Sequence, residues 1–230
     1  MYANMEIVVL AAPETAPEFR QKFSSPSLLY KVVSSYEALL PLLDKAEVVF
    51  DYFLADEPEQ LNLYAHRSSL VVFCQAAKIQ LAELAIKFPV LHCALFGFNG
   101  LPGFLNRSVL EVSVLCSEDI AKLQAVCTYL NSDYLVIADR VGMVTPRIIA
   151  MIINEACYTL QENTAQITDI EKCMKLGANY PYGPFEWANR IGIRHVYELL
   201  TALYENTKDE RYKICPLLKT KYLRGEIFKI

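Results

Sequence analysis

Short, unbroken apolar runs alternate with amphipathic segments along the first part of the chain. The runs EIVVLAA, SLLYKVV, EVVFDYFL, SLVVFCQ, VLHCALFGF, SVLEVSVL and DYLVIA are strand-like, and segments between them such as APEFRQKF and EDIAKLQAVCTYLN have helical spacing. Strands that are buried on both faces appear in a sequence as continuous apolar runs. The alternation therefore predicts a doubly wound α/β domain, with a mostly parallel sheet covered by helices on both faces.

The pattern changes near residue 140, after which no strand-like run is found. A wide apolar stripe with helical spacing follows, formed by Ile148, Ile149, Ile152, Ile153, Ala156, Cys157 and Leu160. We therefore expect an α/β domain over residues 1–140 and an all-α domain over residues 141–230. An apolar stripe this wide also predicts that the helical domain pairs with a second copy in a symmetric homodimer.

The segment LGANYPYGPFEWANRIG, residues 176–192, lies between two helical patterns. Thr168 and Glu171 before it are spaced as a capping box, in which each residue caps the start of its own helix. Gly177 is expected to end that helix in the left-handed conformation, and Pro184 suits the first turn of the next helix. The segment is thus predicted to be a helix stop, a rigid turn and a helix start.

Composition and charge narrow the class of protein. The chain is 53% hydrophobic with a mean hydropathy of +0.21, yet no run reaches the length of a membrane span, so the apolar surplus favours a subunit interface. The net charge is −4 and the basic residues are scattered, which argues against a nucleic-acid partner. The seven cysteines lie in apolar contexts without a CxxC pair, which is typical of reduced core thiols in a cytoplasmic protein.

The second part of the chain resembles a known family. GMVTPRIIAMIINEA, KLGANYPYGPFEWANRIG and CPLLKTKYLRGE are similar to the carboxy-terminal helical domain of the 3-hydroxyacyl-CoA dehydrogenases, whose members carry an LGxxxPxGPFE turn. The resemblance implies a domain that supplies the dimer interface and part of the acyl-CoA site, preceded by an NAD-binding Rossmann-like domain. It also implies an NAD-dependent oxidoreductase of fatty acid metabolism.

The first turn departs from what NAD binding requires. A dinucleotide-binding turn uses GxGxxG, so that backbone N–H groups can approach the pyrophosphate at a helix N-terminus. Aligned on EIVVL, the chain has Ala11, Pro13 and Ala16 in place of the glycines, and Glu14 adds a negative charge. We expect Glu14 and its neighbours to cap the following helix and no cofactor to be bound, although NAD would be required if the family activity survived.

The family's catalytic residues are also substituted. The family has an HFFNP strand end whose histidine takes the proton of the 3-hydroxyl group, and a KLVEV strand whose glutamate orients that histidine. This chain has FGFNG and VLEV, so that anchoring on Phe98 and Asn99 places Phe96 in the histidine position and Glu111 in the glutamate position. On this alignment the base is lost and its partner is kept, with Phe96 and Asn99 assigned to substrate binding.

Two further positions differ from the family. The NTSS segment, whose serine contacts the substrate oxygen, corresponds to CQAA at residues 74–77, and the asparagine of FIVNR corresponds to Pro146. Arg147 matches the family's arginine and is assigned to substrate binding.

Several residues keep alternative interpretations. Glu111 is either a retained site residue or a strand carboxylate at a solvated rim or paired with Arg107. His92 is either a displaced base or a hydrogen-bonded histidine inside an apolar strand. The aromatic residues Phe96, Phe98 and Phe104 either line an acyl pocket or fill the space of a lost cofactor.

Two functions remain open at this point. The first is a divergent 3-hydroxyacyl-CoA dehydrogenase relative that acts on or binds a CoA thioester, with weak or absent dehydrogenase activity. The second is a pseudoenzyme that serves as a dimeric scaffold or as a regulatory partner of a working dehydrogenase.

Overall fold

The computed structural model describes residues 5–88 and 90–230. Its chain forms two compact units, one of Met1–Gly100 with Phe104–Met143 and one of Leu101–Gly103 with Val144–Ile230. The roles expected of residues 1–140, as a degenerate Rossmann-like domain, and of residues 141–230, as a dimerisation domain, stay predictions.

The first unit is a seven-stranded sheet with helices on both faces, which confirms the predicted α/β class. Its strands are β1 (Ile7–Leu10), β2 (Tyr30–Val33), β3 (Val48–Asp51), β4 (Val71–Gln75), β5 (Ala94–Phe98), β6 (Val109–Val114) and β7 (Asp133–Ile137). Its helices are α1 (Ala16–Lys22), α2 (Tyr36–Leu39), α3 (Leu81–Ala85) and α4 (Ile120–Tyr129), with 3₁₀ turns at Leu40–Leu42, Pro58–Leu63 and Ser117–Asp119.

The sheet order is β2-β1-β3-β4-β5-β6-β7. All neighbouring strands are parallel except β5 and β6, which are antiparallel, so β6 and β7 run against the other five. The apolar runs supply side chains to two cores, one on each face. One core contains Phe19 of α1 and Leu123 of α4, and the other contains Leu39 of α2 and Leu81 of α3. Burial on both faces explains why the inner strands β1, β3, β4 and β5 are apolar almost throughout, whereas the edge strand β7 leaves Leu135 and Val136 exposed.

A buried carboxylate ends β3. Asp51 is fully buried and accepts hydrogen bonds from the hydroxyls of Tyr36 (3.0 Å) and Tyr64 (2.8 Å) and from the backbone N–H groups of Phe53 (2.8 Å) and Leu54 (3.0 Å). Burial raises the pKa of Asp51, while these donors oppose the rise. Four donors satisfy the carboxylate, which explains how a charged group is tolerated at this depth.

The second unit is helical, as expected. Its helices are α5 (Thr145–Gln161), α6 (Ile167–Gly177), α7 (Pro184–Ile191), α8 (Ile193–Thr207) and α9 (Pro216–Arg224), with a 3₁₀ turn at Glu210–Tyr212. Its buried side chains include Ile153 and Cys157 of α5, Phe185 of α7 and Leu200 of α8. No helix among the described residues has the length and apolarity needed to cross a bilayer.

The turn between α6 and α7 differs from its predicted geometry in one respect. The helix start at Pro184 is confirmed, but the predicted capping box of Thr168 and Glu171 is wrong, because α6 begins after Gln166 without a side-chain cap. Glu171 is 4% exposed, and its Oε1 instead accepts the N–H groups of Phe185 (2.7 Å) and Glu186 (3.2 Å) at the start of α7. The carboxylate of one helix therefore caps the next.

The left-handed conformation predicted for Gly177 is wrong, and the structure gives Gly183 a role that was not predicted. Gly177 is the last residue of α6 and does not have a positive φ, whereas Asn179 does, at 54°. A Cβ atom at Gly177 would meet nothing within 4 Å. At Gly183, a Cβ atom would lie 2.1 Å from Oε2 of Glu171. Gly183 is thus required by close approach of the buried carboxylate, and Gly177 is not required by conformation.

Candidate functional site

The carboxyl ends of the parallel strands are where α/β sheets bind ligands, above all where the strand order reverses. Here that point lies between β1 and β3. The backbone of the turn after β1 is closed on itself: the N–H groups of Thr15 and Ala16 both donate to the carbonyl of Ala12, at 3.0 and 3.1 Å. The N–H of Ala11 donates to Val33 of β2 at 3.0 Å. Three N–H groups of this turn therefore have partners within the chain.

The charge at this turn differs from the expectation. The predicted capping by Glu14 is wrong, because Glu14 is exposed and α1 has no side-chain cap at its N-cap residue, Thr15. Glu18, in the first turn of α1, is the acidic residue at this helix start. Its Oε1 accepts the N–H of Asn106 at 3.0 Å. The carboxylate at the start of α1 is therefore that of Glu18 and not that of Glu14.

The end of β2 supplies a signal that the sequence reasoning missed. Dinucleotide-binding folds carry an acidic residue about 20 residues beyond the glycine-rich turn, which binds the ribose hydroxyl. Here β2 ends at Val33 and is followed by Ser34 and Ser35. The Ser35 hydroxyl accepts the N–H of Ala38 at 3.3 Å and so caps α2. The composition of this strand end could have been read from the sequence.

Aromatic side chains fill the space beside the switch point. Tyr52, directly after β3, is 9% exposed, and its ring lies 5.0 Å from that of Phe98 in an edge-on arrangement. Its hydroxyl has no hydrogen-bond partner among the described residues, and burial raises the pKa of Tyr52. A Cβ atom at Gly100 would lie 2.8 Å from both Tyr52 and Gln75. The packing leaves no room there even for a methyl group.

The structure corrects the assignment of Phe96. This side chain is fully buried in the core of the first unit, with its ring 5.3 Å from that of Phe73. It pairs with Val114 across β5 and β6, away from Glu111. Phe96 therefore packs within the core and does not line a site.

Asn99 follows the carboxyl end of β5, and Glu111 lies on the neighbouring strand β6. The last printed pair of the two strands is Phe98 with Val112, and continuing that register by one residue would set Asn99 opposite Glu111. Asn99 is 3% exposed and Glu111 is half-buried. Since the charge of Arg107 interacts with both Glu111 and Glu18, the alternative of a Glu111–Arg107 pairing is supported. The pKa of Arg107 is lowered by burial, while the two carboxylates raise it, and its guanidinium lies 4.8 Å from the Phe104 ring.

The interpretation of His92 as a core histidine inside a strand is wrong. His92 is exposed and lies before β5, at the amino end of that strand, where its N–H donates to the carbonyl of Ala65 at 2.7 Å. Glu111 lies beyond the opposite end of β5, so the strand separates the two residues by about 20 Å at 3.3 Å per residue. The structure does not bring together a displaced His92–Glu111 pair.

Two other expected sites are located as follows. In residues 74–77 the backbone N–H of Ala77 donates to Oε1 of Gln75 at 3.3 Å, and the side chains of Cys74 and Ala76 are buried. Arg147, in the first turn of α5, donates to the hydroxyl of Tyr212 at 3.0 Å. It lines a cavity of about 620 Å³ within the helical unit. No group of His, Cys, Asp or Glu side chains in the described parts of the chain is arranged to hold a metal ion.

The comparison with protein families matches the helical part. Residues 142–229 match the family described as "3-hydroxyacyl-CoA dehydrogenase, C-terminal domain". The chain is 45% identical over 89 residues to the 3-hydroxyadipyl-CoA dehydrogenase of Escherichia coli K12, covering 39% of this chain and 19% of that protein. It is 35% identical over 154 residues to the 3-hydroxybutyryl-CoA dehydrogenase of Clostridioides difficile, covering 66% and 55% respectively. The chain thus spans between about a fifth and about half of the length of these curated relatives.

Solved structures resemble the fold over nearly the whole chain. The (S)-3-hydroxybutyryl-CoA dehydrogenase PaaH1 from Ralstonia eutropha has a TM-score of 0.72 at 16% identity, covering 99% of this chain and 100% of that chain. FadB2 of M. tuberculosis has a TM-score of 0.79 at 15% identity, covering 99% and 96%. At this identity the likeness shows the fold, a Rossmann-like sheet followed by a helical domain. On the match of residues 142–229 and the relatives that share it, the helical part of the chain belongs to the family of the 3-hydroxyacyl-CoA dehydrogenase C-terminal domain.

Proposed function

We propose that this chain is a divergent member of its family that binds, or acts on, a CoA thioester, with weak or absent dehydrogenase activity and without bound NAD. The observation that carries the proposal is the turn after β1, where Thr15 and Ala16 donate to Ala12 and no glycine is present. Backbone N–H groups that already have partners in the chain cannot also hold a pyrophosphate without breaking those bonds.

Three further features support the absence of the dinucleotide. Pro13 has no N–H to donate, and Glu18 occupies the helix start with a negative charge. Ser34 and Ser35 follow β2 where a ribose-binding acid is expected, and the ring of Tyr52 fills space beside the switch point. The residues present do not fit NAD.

The catalytic positions support weak or absent oxidation. A positioned general base contributes roughly 10² to 10⁴ in rate. Neither the buried ring of Phe96 nor the amide of Asn99 can accept a proton near neutral pH, and His92 lies at the far end of β5. Glu111 is then left without an imidazole to orient.

Acyl-CoA binding is proposed from the family and from Arg147. The curated relatives are named for CoA-thioester substrates, and Arg147 matches the family's arginine. Arg147 lines a cavity that also contains Arg211 and Lys213, but these two side chains form ion pairs with Asp209 and Glu210, so the proposal assigns contact with the thioester to Arg147.

The seven free cysteines support a reducing compartment such as the cytoplasm. Five of them are buried, but Cys116 and Cys173 are exposed and are not core thiols as expected.

Calorimetric titration with NAD, NADH, CoA and 3-hydroxybutyryl-CoA tests the proposal. We expect binding of the CoA thioester and none of either dinucleotide, and a thioester present at 100 times its Kd should add about 2.7 kcal/mol of stability. Arg147→Ala should weaken thioester binding, while Arg194→Ala, an exposed arginine on α8, should leave it unchanged. A micromolar Kd for NAD with robust oxidation of the thioester would refute the proposal.

The second candidate is a dimeric scaffold or regulatory partner, favoured by the surface of α5. Ile148 is 51% exposed, and Ile152 lines the Arg147 cavity and also an apolar groove of about 370 Å³ with Ile170 and Met174 of α6. An exposed apolar surface of this kind is typical of a subunit interface. We propose a homodimer through this helix. Failure of every thioester to bind, with a stable dimer in solution, would favour this role.

A further inference from the structure

Glu111 has a defined neighbour on the adjacent strand. The pairs Gly97 with Ser113 and Phe98 with Val112 fix the antiparallel register of β5 and β6. Continuing that register by one residue sets Asn99 opposite Glu111. Residues directly opposite each other in an antiparallel pair have Cβ atoms about 4.5–5.5 Å apart.

The alternation of side chains separates Phe96 from this pair. Phe96, Phe98 and Val112 lie in the same core and therefore on one face of the sheet. Glu111 and Asn99, each one residue away from a member of that face, belong to the other face. Phe96 pairs with Val114, three residues beyond Glu111, so a side chain at position 96 cannot reach the Glu111 carboxylate.

We infer that Asn99, and not Phe96, is the residue whose side chain lies opposite Glu111, and that this pair recognises a hydroxyl group of a ligand. The pair binds the hydroxyl group but does not remove its proton. An asparagine amide donates and accepts hydrogen bonds but does not titrate near neutrality. An ionised carboxylate only accepts. A hydroxyl group can accept from the amide and donate to the carboxylate, so it complements both partners at once.

A carbonyl group complements the pair less well. Its oxygen accepts from the Asn99 amide but turns a second acceptor toward the Glu111 carboxylate, and two acceptors repel each other. The charge of Arg107, which interacts with both Glu111 and Glu18, offsets the two carboxylates at this edge. That the hydroxyl belongs to an acyl-CoA rests on the proposed function, whereas the pairing of Asn99 with Glu111 does not.

The first experiment tests the register without any ligand. Asn99→His places an imidazole opposite Glu111, and its pKa, followed by NMR, should fall by about one unit or more when Glu111→Gln is added, because an adjacent carboxylate favours the charged imidazole. The signals of the native histidines are identified beforehand from the spectrum of the native chain. In Phe96→His the introduced imidazole should be insensitive to Glu111→Gln. If it responds at position 96, or fails to respond at position 99, the inference is wrong.

The second experiment tests the ligand and does not depend on histidine variants that fold. Calorimetric Kd values are measured for 3-hydroxybutyryl-CoA, acetoacetyl-CoA and butyryl-CoA. We expect the hydroxyl compound to bind about 5- to 10-fold more tightly than the other two, and Asn99→Leu or Glu111→Gln to bring that ratio to about 1.

The outcomes are distinguishable. Equal binding of the hydroxyl and unsubstituted thioesters overturns the recognition of the hydroxyl, and equal binding of acetoacetyl-CoA and the hydroxyl compound overturns the choice of hydroxyl over carbonyl. Binding of none of the three refutes the proposed function and its ligand, while the titration still decides which residue faces Glu111.

Discussion

Replacing Glu171 with alanine removes the carboxylate of α6 that caps α7. Oε1 accepts two backbone N–H groups, from Phe185 at 2.7 Å and Glu186 at 3.2 Å, and Oε2 lies 3.5 Å from Nζ of Lys175. A hydrogen bond to a charged group contributes about 1.5–3 kcal/mol, and the longer bond contributes less. These two bonds are the cap of α7 and are counted once, and the buried donors that remain unpaired place the cost in the upper part of that range. We therefore expect Glu171→Ala to lower the free energy of unfolding by about 3 kcal/mol.

Gly183→Ala should act through the same carboxylate. Gly183 has φ −75°, so alanine is conformationally acceptable there, but its Cβ would lie 2.1 Å from Oε2 of Glu171. The carboxylate must move and release its donors, which we expect to cost about 3 kcal/mol in the native chain. In the Glu171→Ala background the clashing atoms are absent, so the same substitution should cost less than about 1 kcal/mol.

Urea unfolding followed by tryptophan fluorescence measures both effects. Trp187 is the chain's one tryptophan and lies buried in α7, so it reports on the helix that is capped. In a chain of this size each kcal/mol shifts Tm by about 2–4 °C, so Glu171→Ala should lower Tm by about 6–12 °C. Gly177→Ala is the matched control, expected to be neutral or stabilising by up to about 1 kcal/mol. If Gly183→Ala is equally costly in both backgrounds, the carboxylate is not the reason for that glycine.

Two further changes test other parts of the chain. Ile152→Asp should convert the proposed dimer into a folded monomer in light scattering, because Ile152 is only partly buried within one chain. The control Ile86→Asp, at a position 80% exposed in the first unit, should leave the dimer intact. A native chain that is monomeric at micromolar concentration would contradict the proposed interface. Asp51→Asn should lower the free energy of unfolding by about 2–3 kcal/mol at neutral pH, because an amide N–H₂ then faces hydrogen-bond donors. Burial raises the pKa of Asp51 above its ordinary 3.8, so the folded chain holds that proton more tightly than the unfolded chain. The native chain should therefore lose part of its stability as pH rises from below that value through the folded pKa, and unfolding curves across pH should show this slope weakened in Asp51→Asn.

The sequence by itself determined the elements. The inner strands are apolar runs because both of their faces are covered, and a run such as VVFCQ has no polar face that would permit another placement. The start of α7 was also predictable, since Pro184 fixes φ and needs no donor in the first helical turn. The turn motif at residues 176–192 pointed to the family of the helical domain, which the match of residues 142–229 confirms.

The tertiary structure decided which residues face one another. Glu171 has the spacing of a capping box for its own helix, but it caps α7, because the turn brings that helix start to its side chain. Phe96 and Asn99 both stand near a strand end in the sequence, and only the register of β5 with β6 puts Asn99 opposite Glu111. His92 follows an apolar segment and yet lies exposed before β5.

The physical reason is that local patterns fix a residue's conformation and burial but not its distant partner. A shift of one residue in strand pairing moves every side chain to the other face without changing the apolar character of either strand. Register therefore decides whether Glu111 meets an aromatic ring, an imidazole or an amide, and the identity of the site depends on that contact.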